Sequence, residues 1–94
     1  MRYVKGQRVI LNETNQLCGI RDIIDGDKLL ITVLQDKFTM SVKIVNADKV
    51  SPFICEKYGK ECDFIMPASL INQNACDMCD IPELRESMKS MVGR

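Results

Sequence analysis

Apolar and polar residues alternate most regularly over Phe38-Thr39-Met40-Ser41-Val42-Lys43-Ile44. A period of two predicts a half-buried strand with its apolar row inside and the other row in water. Ahead of it, Ile23-Ile24 and Leu29-Leu30-Ile31-Thr32-Val33-Leu34 flank Asp25-Gly26-Asp27-Lys28, where the Asp-Gly step supplies the positive φ of a tight hairpin. Gln35-Asp36-Lys37 predicts a second short turn. Val9-Ile10-Leu11, approached through Gly6 and left through Asn12-Glu13-Thr14-Asn15, reads as a first strand. Leu17 to Ile24 reads as a second, with Gly19 placed for a bend or bulge. Four or five short strands joined by turns too short for crossovers predict an antiparallel meander that curls into a small barrel over residues 1–52.

The helical period is clearest near the other end of the chain. Asp80-Ile81-Pro82-Glu83 has the chemistry of a helix start: Asp80 as cap, Glu83 as the closing half of a capping box, and Pro82 tolerated in the first turn. Leu84, Met88 and Met91 then recur at i, i+4 and i+7 with Ile81 and Val92 on the same side, and Gly93 ends the helix. Such a stripe packs on the rest of the protein, or offers an adaptable Met-rich surface to a partner.

Composition divides the chain at Ser51-Pro52. Residues 1–52 hold one of the five cysteines and residues 53–94 the other four. The first part carries eight Lys/Arg against six Asp/Glu and the second five against seven, a slight asymmetry. No repeat, low-complexity tract or Gly/Ser-rich linker separates the parts, so they are expected to pack on each other.

With 94 residues, 46% apolar and 28% charged, the chain fits one soluble domain or two very small modules. Thirteen basic against thirteen acidic residues rule out a generic polyanion binder. The absence of His removes imidazole bases, Ser-His-Asp and Cys-His constellations, and His-containing zinc sites. No phosphate-binding Gly-rich loop and no nucleophile with a base is found, so a non-enzymatic role is expected. Asp22, Asp25 and Asp27 lack the order of a calcium loop and read as solvated turn carboxylates. Met1 to Gly6 shows no apolar run of signal-peptide length, and the longest apolar stretch, around Leu29 to Leu34, is strand-sized. A cytoplasmic, non-spanning chain is therefore expected, a setting that keeps thiols reduced and favours metal over disulfides.

Gly6-x-x-Val9-x-Leu11, Gly19-Ile20-x-x-x-Ile24-Asp25, Ile31-x-Val33, Val42-x-Ile44 and Asp48-x-Val50 resemble the SH3-like barrels of the KOW and Tudor type, over about half the chain. The resemblance implies a barrel that binds RNA, ribosomal or transcription proteins, or peptides. Tyr3 and Phe38 are too few aromatics for the cage of a methyl-side-chain reader. In the nucleic-acid mode, Arg2, Lys5, Arg8, Arg21, Lys37 and Lys43 would surround the barrel.

Cys55, Cys62, Cys76 and Cys79 read as C-x6-C-x13-C-x2-C. The two-residue spacer of Cys76-Asp77-Met78-Cys79 lets both thiolates reach one tetrahedral ion, and Gly59 suits a turn that brings Cys55 and Cys62 together. Four ligands in two pairs predict a closed structural zinc site, which would add folding free energy to a segment too short to bury much. Reduced core cysteines, a thiol redox sensor at Cys76 and Cys79, and an iron–sulfur cluster are the alternatives. Cys18, between Leu17 and Gly19, reads as a core residue.

The expected architecture is therefore mainly β with a small α part: an SH3-like antiparallel barrel over 1–52, joined to a four-cysteine zinc module with a C-terminal helix over 53–94. The expected role is a non-enzymatic adaptor or inhibitor that binds another protein, of the type of the small accessory proteins that phages and mobile elements direct at host machinery. An RNA- or DNA-binding KOW-like module is the first alternative and a thiol redox sensor the second.

Overall fold

The computed structural model describes residues 3–36, 39–71 and 76–92. Five strands form one antiparallel sheet: β1 (Arg8–Leu11), β2 (Gln16–Ile24), β3 (Lys28–Leu34), β4 (Met40–Asn46) and β5 (Val50–Pro52), in the order β4-β3-β2-β1-β5. The β2–β3 turn forms where the Asp-Gly step lies, with Asp25 at φ 52° and Gly26 at φ 81°. At the next reversal the Asp36 carboxylate accepts the Thr39 N–H at 2.8 Å, while Lys37 and Phe38 lie outside the described residues. A 3-10 turn, Ala47–Lys49, carries β4 into β5. The chain is thus mainly β and antiparallel, as expected. The barrel is not closed, however: β4 and β5 are the two edges, and no pair joins them among the described residues.

Register decides which rows are buried. Val9 and Leu11 of β1, Cys18 and Ile20 of β2, Leu29, Ile31 and Val33 of β3, and Val50 of β5 fill one face, with Tyr3 donating its hydroxyl to the Val50 carbonyl at 3.2 Å. Each such apolar side chain gains about 1.5–3 kcal/mol from leaving water. The expected bulge is displaced from Gly19. The irregularity falls between Ile20 and Asp22, and Gly19 serves another purpose: a Cβ there would stand 3.2 Å from Ala68 and from Ile71 Cδ1, so its bare backbone admits the 3-10 turn Ala68–Leu70.

The strand with the strictest alternation departs from its expected orientation. Leu29, Ile31 and Val33 face the core and pair with Val45, Lys43 and Ser41, so those residues take the core side of β4. Met40, Val42 and Ile44 consequently point outward, at 43%, 54% and 59% exposure. An edge strand needs little inward apolar surface, because the rows of three neighbouring strands already fill that face.

A second core forms from Cys62, Phe64 and Met66, with Phe53, Met78, Cys79 and Met88 packed on it. Its frame is a hairpin, β6 (Ile54–Cys55) with β7 (Lys60–Glu61), and one helix, α1 (Pro82–Val92). This part docks on the sheet through backbone as well as side chains, since Met66 N donates to Gly6 O at 3.0 Å. Gly6, at φ 88°, lies so close that an added Cβ would meet Ile65 Cγ2 at 2.7 Å and Val92 Cγ2 at 3.0 Å. Val92 and Met88 therefore form the inward face of α1, Leu84 is half-buried, and Ile81 and Met91 are exposed. Gly93, the expected helix end, lies outside the described residues. No helix among the described residues is long and apolar enough to cross a membrane.

Candidate metal centre

The two cysteine pairs are positioned by local turns that the sequence dictates. Gly59 adopts φ 66° and its N–H bonds to the Cys55 carbonyl at 2.7 Å, which closes the β6–β7 hairpin and turns the chain back toward Cys62. Cys62 N in turn donates to Phe53 O at 2.8 Å, so the residues flanking the hairpin are tied together. In the second pair, Cys79 N donates to Cys76 O at 3.2 Å, a tight turn whose two cysteines line the same cavity.

All four cysteines line one cavity of about 290 Å³ between β1 and the C-terminal half. Their side chains are free thiols, with Cys62 buried and the other three half-buried. Among the described residues no three His, Cys, Asp or Glu groups converge closely enough to hold an ion. The sulfurs thus share a cavity without forming a contracted tetrahedron, in which Zn–S distances would be about 2.3 Å. Arg8 Nη2 donates to Cys62 Sγ at 3.2 Å and to Cys76 Sγ at 3.5 Å.

Arg8 is 1% exposed, on the face of β1 opposite Val9 and Leu11. Its guanidinium carbon lies 4.8 Å from the Phe53 ring centre and 5.9 Å from that of Phe64. Burial opposes its charge, but the Cys62 and Cys76 sulfurs outweigh that, leaving its pKa above the ordinary arginine value. Arg85 of α1 also lines the cavity, donating from Nη1 to Cys79 Sγ at 3.0 Å and from Nη2 to Asp63 Oδ1 at 3.1 Å. Its guanidinium carbon lies 5.7 Å from the Phe64 ring centre, so both guanidinium groups are near that ring. The Arg85 hydrogen bond holds the Asp63 carboxyl below its usual range. Burial pushes the Cys79 thiol up, and Arg85 offsets part of that rise. At the rim the Asp80 carboxylate accepts from Lys57 and Tyr58, which holds it low.

The donor set is four soft thiols, the ligand type of a tetrathiolate ion site, and N–H donors are directed at three of the sulfurs. The two arginines were not legible as site residues. Arg8 stood among candidate phosphate contacts and Arg85 on the polar side of the helix. The signal available was a charge inside the Arg8-Val9-Ile10-Leu11 strand, on a face that must be covered if the halves pack.

Of the remaining expected residues, Lys5 and Arg21 are exposed and line one cavity, Lys43 is exposed and lines another, and Arg2 lies outside the described residues. Arg21 donates to Thr32 Oγ1 at 3.2 Å. Asp22, Asp25 and Asp27 are exposed around their turn, as solvated carboxylates would be. Cys18 is fully buried in the sheet core, away from the other four, and desolvation pushes its thiol up to about 11. Compared with known proteins, the chain matches no family model, no curated protein and no solved structure.

Proposed function

We propose that this chain is a non-enzymatic protein-binding adaptor or inhibitor, in which an SH3-like sheet over residues 1–52 is fastened to a C-terminal module by a structural zinc ion on Cys55, Cys62, Cys76 and Cys79. The observation that carries the reading is the common cavity: cysteines from a hairpin and from a separate turn line one space against the sheet. When bound, zinc would supply a cross-link between these turns and no reaction, because four thiolates leave no position for water.

The binding surface best supported is the β4 edge. It presents a seven-residue strand with Met40, Val42 and Ile44 in an exposed row, and an open edge with such a row suits a partner segment added as a further strand. Of the helix positions, Met88 is committed to the second core and Leu84 is half-buried, which leaves Met91 as the exposed member of that stripe. The nucleic-acid alternative loses Arg8 to the cysteine cavity, and Lys43 lies outside the cavity that Lys5 and Arg21 line.

Native mass spectrometry of protein purified without chelator tests the zinc. One zinc per chain, lost on denaturation, is expected, and a folded metal-free chain at native mass would refute the module. A gel shift with single-stranded RNA or duplex DNA tests the role, since binding that weakens steeply with salt would replace the adaptor reading.

A further inference from the structure

Arg8 poses a charge problem that the apolar sheet does not solve. Its Nε and Nη1 are buried with no hydrogen-bond partner among the described residues, and the ion pairs found among those residues engage Lys57 and Arg85. A guanidinium does not deprotonate in a protein, and a buried charge without a counter-charge is strongly destabilising. The Phe53 and Phe64 rings pack against it but carry no net charge. What it does touch is sulfur: Cys62 and Cys76, at 3.2 and 3.5 Å.

We infer that Arg8 is the buried counter-charge of a tetrathiolate metal centre, so that metal loading and docking of the C-terminal half on β1 are one event. This rests on the zinc reading and goes beyond it. Four thiolates around a divalent ion leave about two negative charges. Arg8 from β1 and Arg85 from α1 each direct a positive group at the same set of sulfurs and offset that charge in part. The two differ in weight. Arg85 is at the rim and already paired with Asp63, whereas Arg8 is enclosed and belongs to the other half of the molecule. With neutral thiols in place of a metal thiolate, the burial of Arg8 is uncompensated, and the C-terminal half has less reason to stay on the sheet. Arg8 is thus a positioning residue that makes the zinc a clasp between the two parts.

The test is cobalt(II) titration of the reduced full chain, followed by sulfur-to-cobalt charge-transfer and d–d absorption, with zinc displacement for affinity. Wild type is expected to bind one cobalt with a tetrathiolate spectrum. A wild-type chain without that spectrum overturns the zinc reading, and this inference with it. Given wild-type binding, Arg8→Met is expected to weaken affinity by about 10–100-fold, the range for a lost partner of a metal ligand. Arg8→Lys should recover part of the loss, and Arg85→Met should cost less. Equal affinity for Arg8→Met and wild type overturns the inference while leaving the zinc site intact. Should Arg8→Met not fold, wild-type hydrogen exchange decides. Chelation is expected to speed exchange at Met66 N, which bonds to Gly6 O across the two halves, by about tenfold or more, the factor that 1.4 kcal/mol of lost docking would give. Exchange in the β2–β3 ladder should stay the same, and unchanged exchange at Met66 N overturns the inference.

Discussion

Arg8 Nη2 lies 3.2 Å from Cys62 Sγ, a contact between residues 54 positions apart that joins the first strand to the far end of the β6–β7 hairpin. It brings a sheet residue into a cavity whose other lining residues, the four cysteines among them, belong to the C-terminal half. Serine at Cys55, Cys62, Cys76 or Cys79 is accordingly expected to remove stoichiometric zinc retention, since a hydroxyl is a far poorer zinc ligand than a thiolate. Cys18→Ser should retain one zinc, because Cys18 is in the other core. Native mass spectrometry of the five variants reads the result directly. A Cys55→Ser protein that keeps one zinc as tightly as wild type would take Cys55 out of the ligand set.

Gly6 and Gly59 both have positive φ but differ in what surrounds them. At Gly59 nothing lies within 4 Å of an added Cβ, so alanine there meets backbone strain alone, about 1–2 kcal/mol. At Gly6 the same strain is joined by contacts at 2.7 Å to Ile65 Cγ2 and 3.0 Å to Met66 O. Gly6→Ala is therefore expected to destabilise the fold by about 3 kcal/mol or more, and Gly59→Ala by clearly less. Urea unfolding of both variants checks the ordering. Equal losses would mean that the docking of residues 65–66 on the Gly6 turn is loose.

The turns were legible in the sequence because their chemistry is local. Asp25-Gly26 and Gly59 must turn wherever the strands go, and the spacing of Cys76 and Cys79 fixes their relative placement. The facing of β4 was not legible. Its alternation states that two rows differ, but the choice of inward row is made by pairing with β3, where Ile31 opposite Lys43 sets the parity. Arg8 was hidden for a related reason, since its burial depends on residues some fifty positions away. The register itself yields a prediction. Val42→Thr and Ile44→Thr should change stability by no more than about 0.5 kcal/mol, the usual bound for exposed sites. Ile31→Ala should cost about 2–5 kcal/mol. Denaturant midpoints decide between registers, because a pairing slipped by one residue would make Ile44 the costly position.

Cys18 gives the protein an alkaline limit. Desolvation raises its thiol from an ordinary 9.0 to about 11 in the folded state, whereas in the unfolded chain it ionises near the ordinary value. The folded state therefore holds this proton more tightly. Its stabilising effect is fully present below pH 9.0 and is lost progressively as the pH rises toward 11. At about 1.4 kcal/mol per pKa unit, the loss amounts to about 2–3 kcal/mol. Cys18→Ala pays a cavity cost at every pH but has no thiol to ionise. Urea unfolding of the reduced protein at pH 8 and pH 11 should show wild type losing about 2–3 kcal/mol more than Cys18→Ala over that interval. Parallel losses in the two proteins would mean that the Cys18 thiol reaches water before the fold opens. The same burial predicts that in native protein at pH 8 a thiol-alkylating reagent modifies Cys18 only as fast as the sheet unfolds.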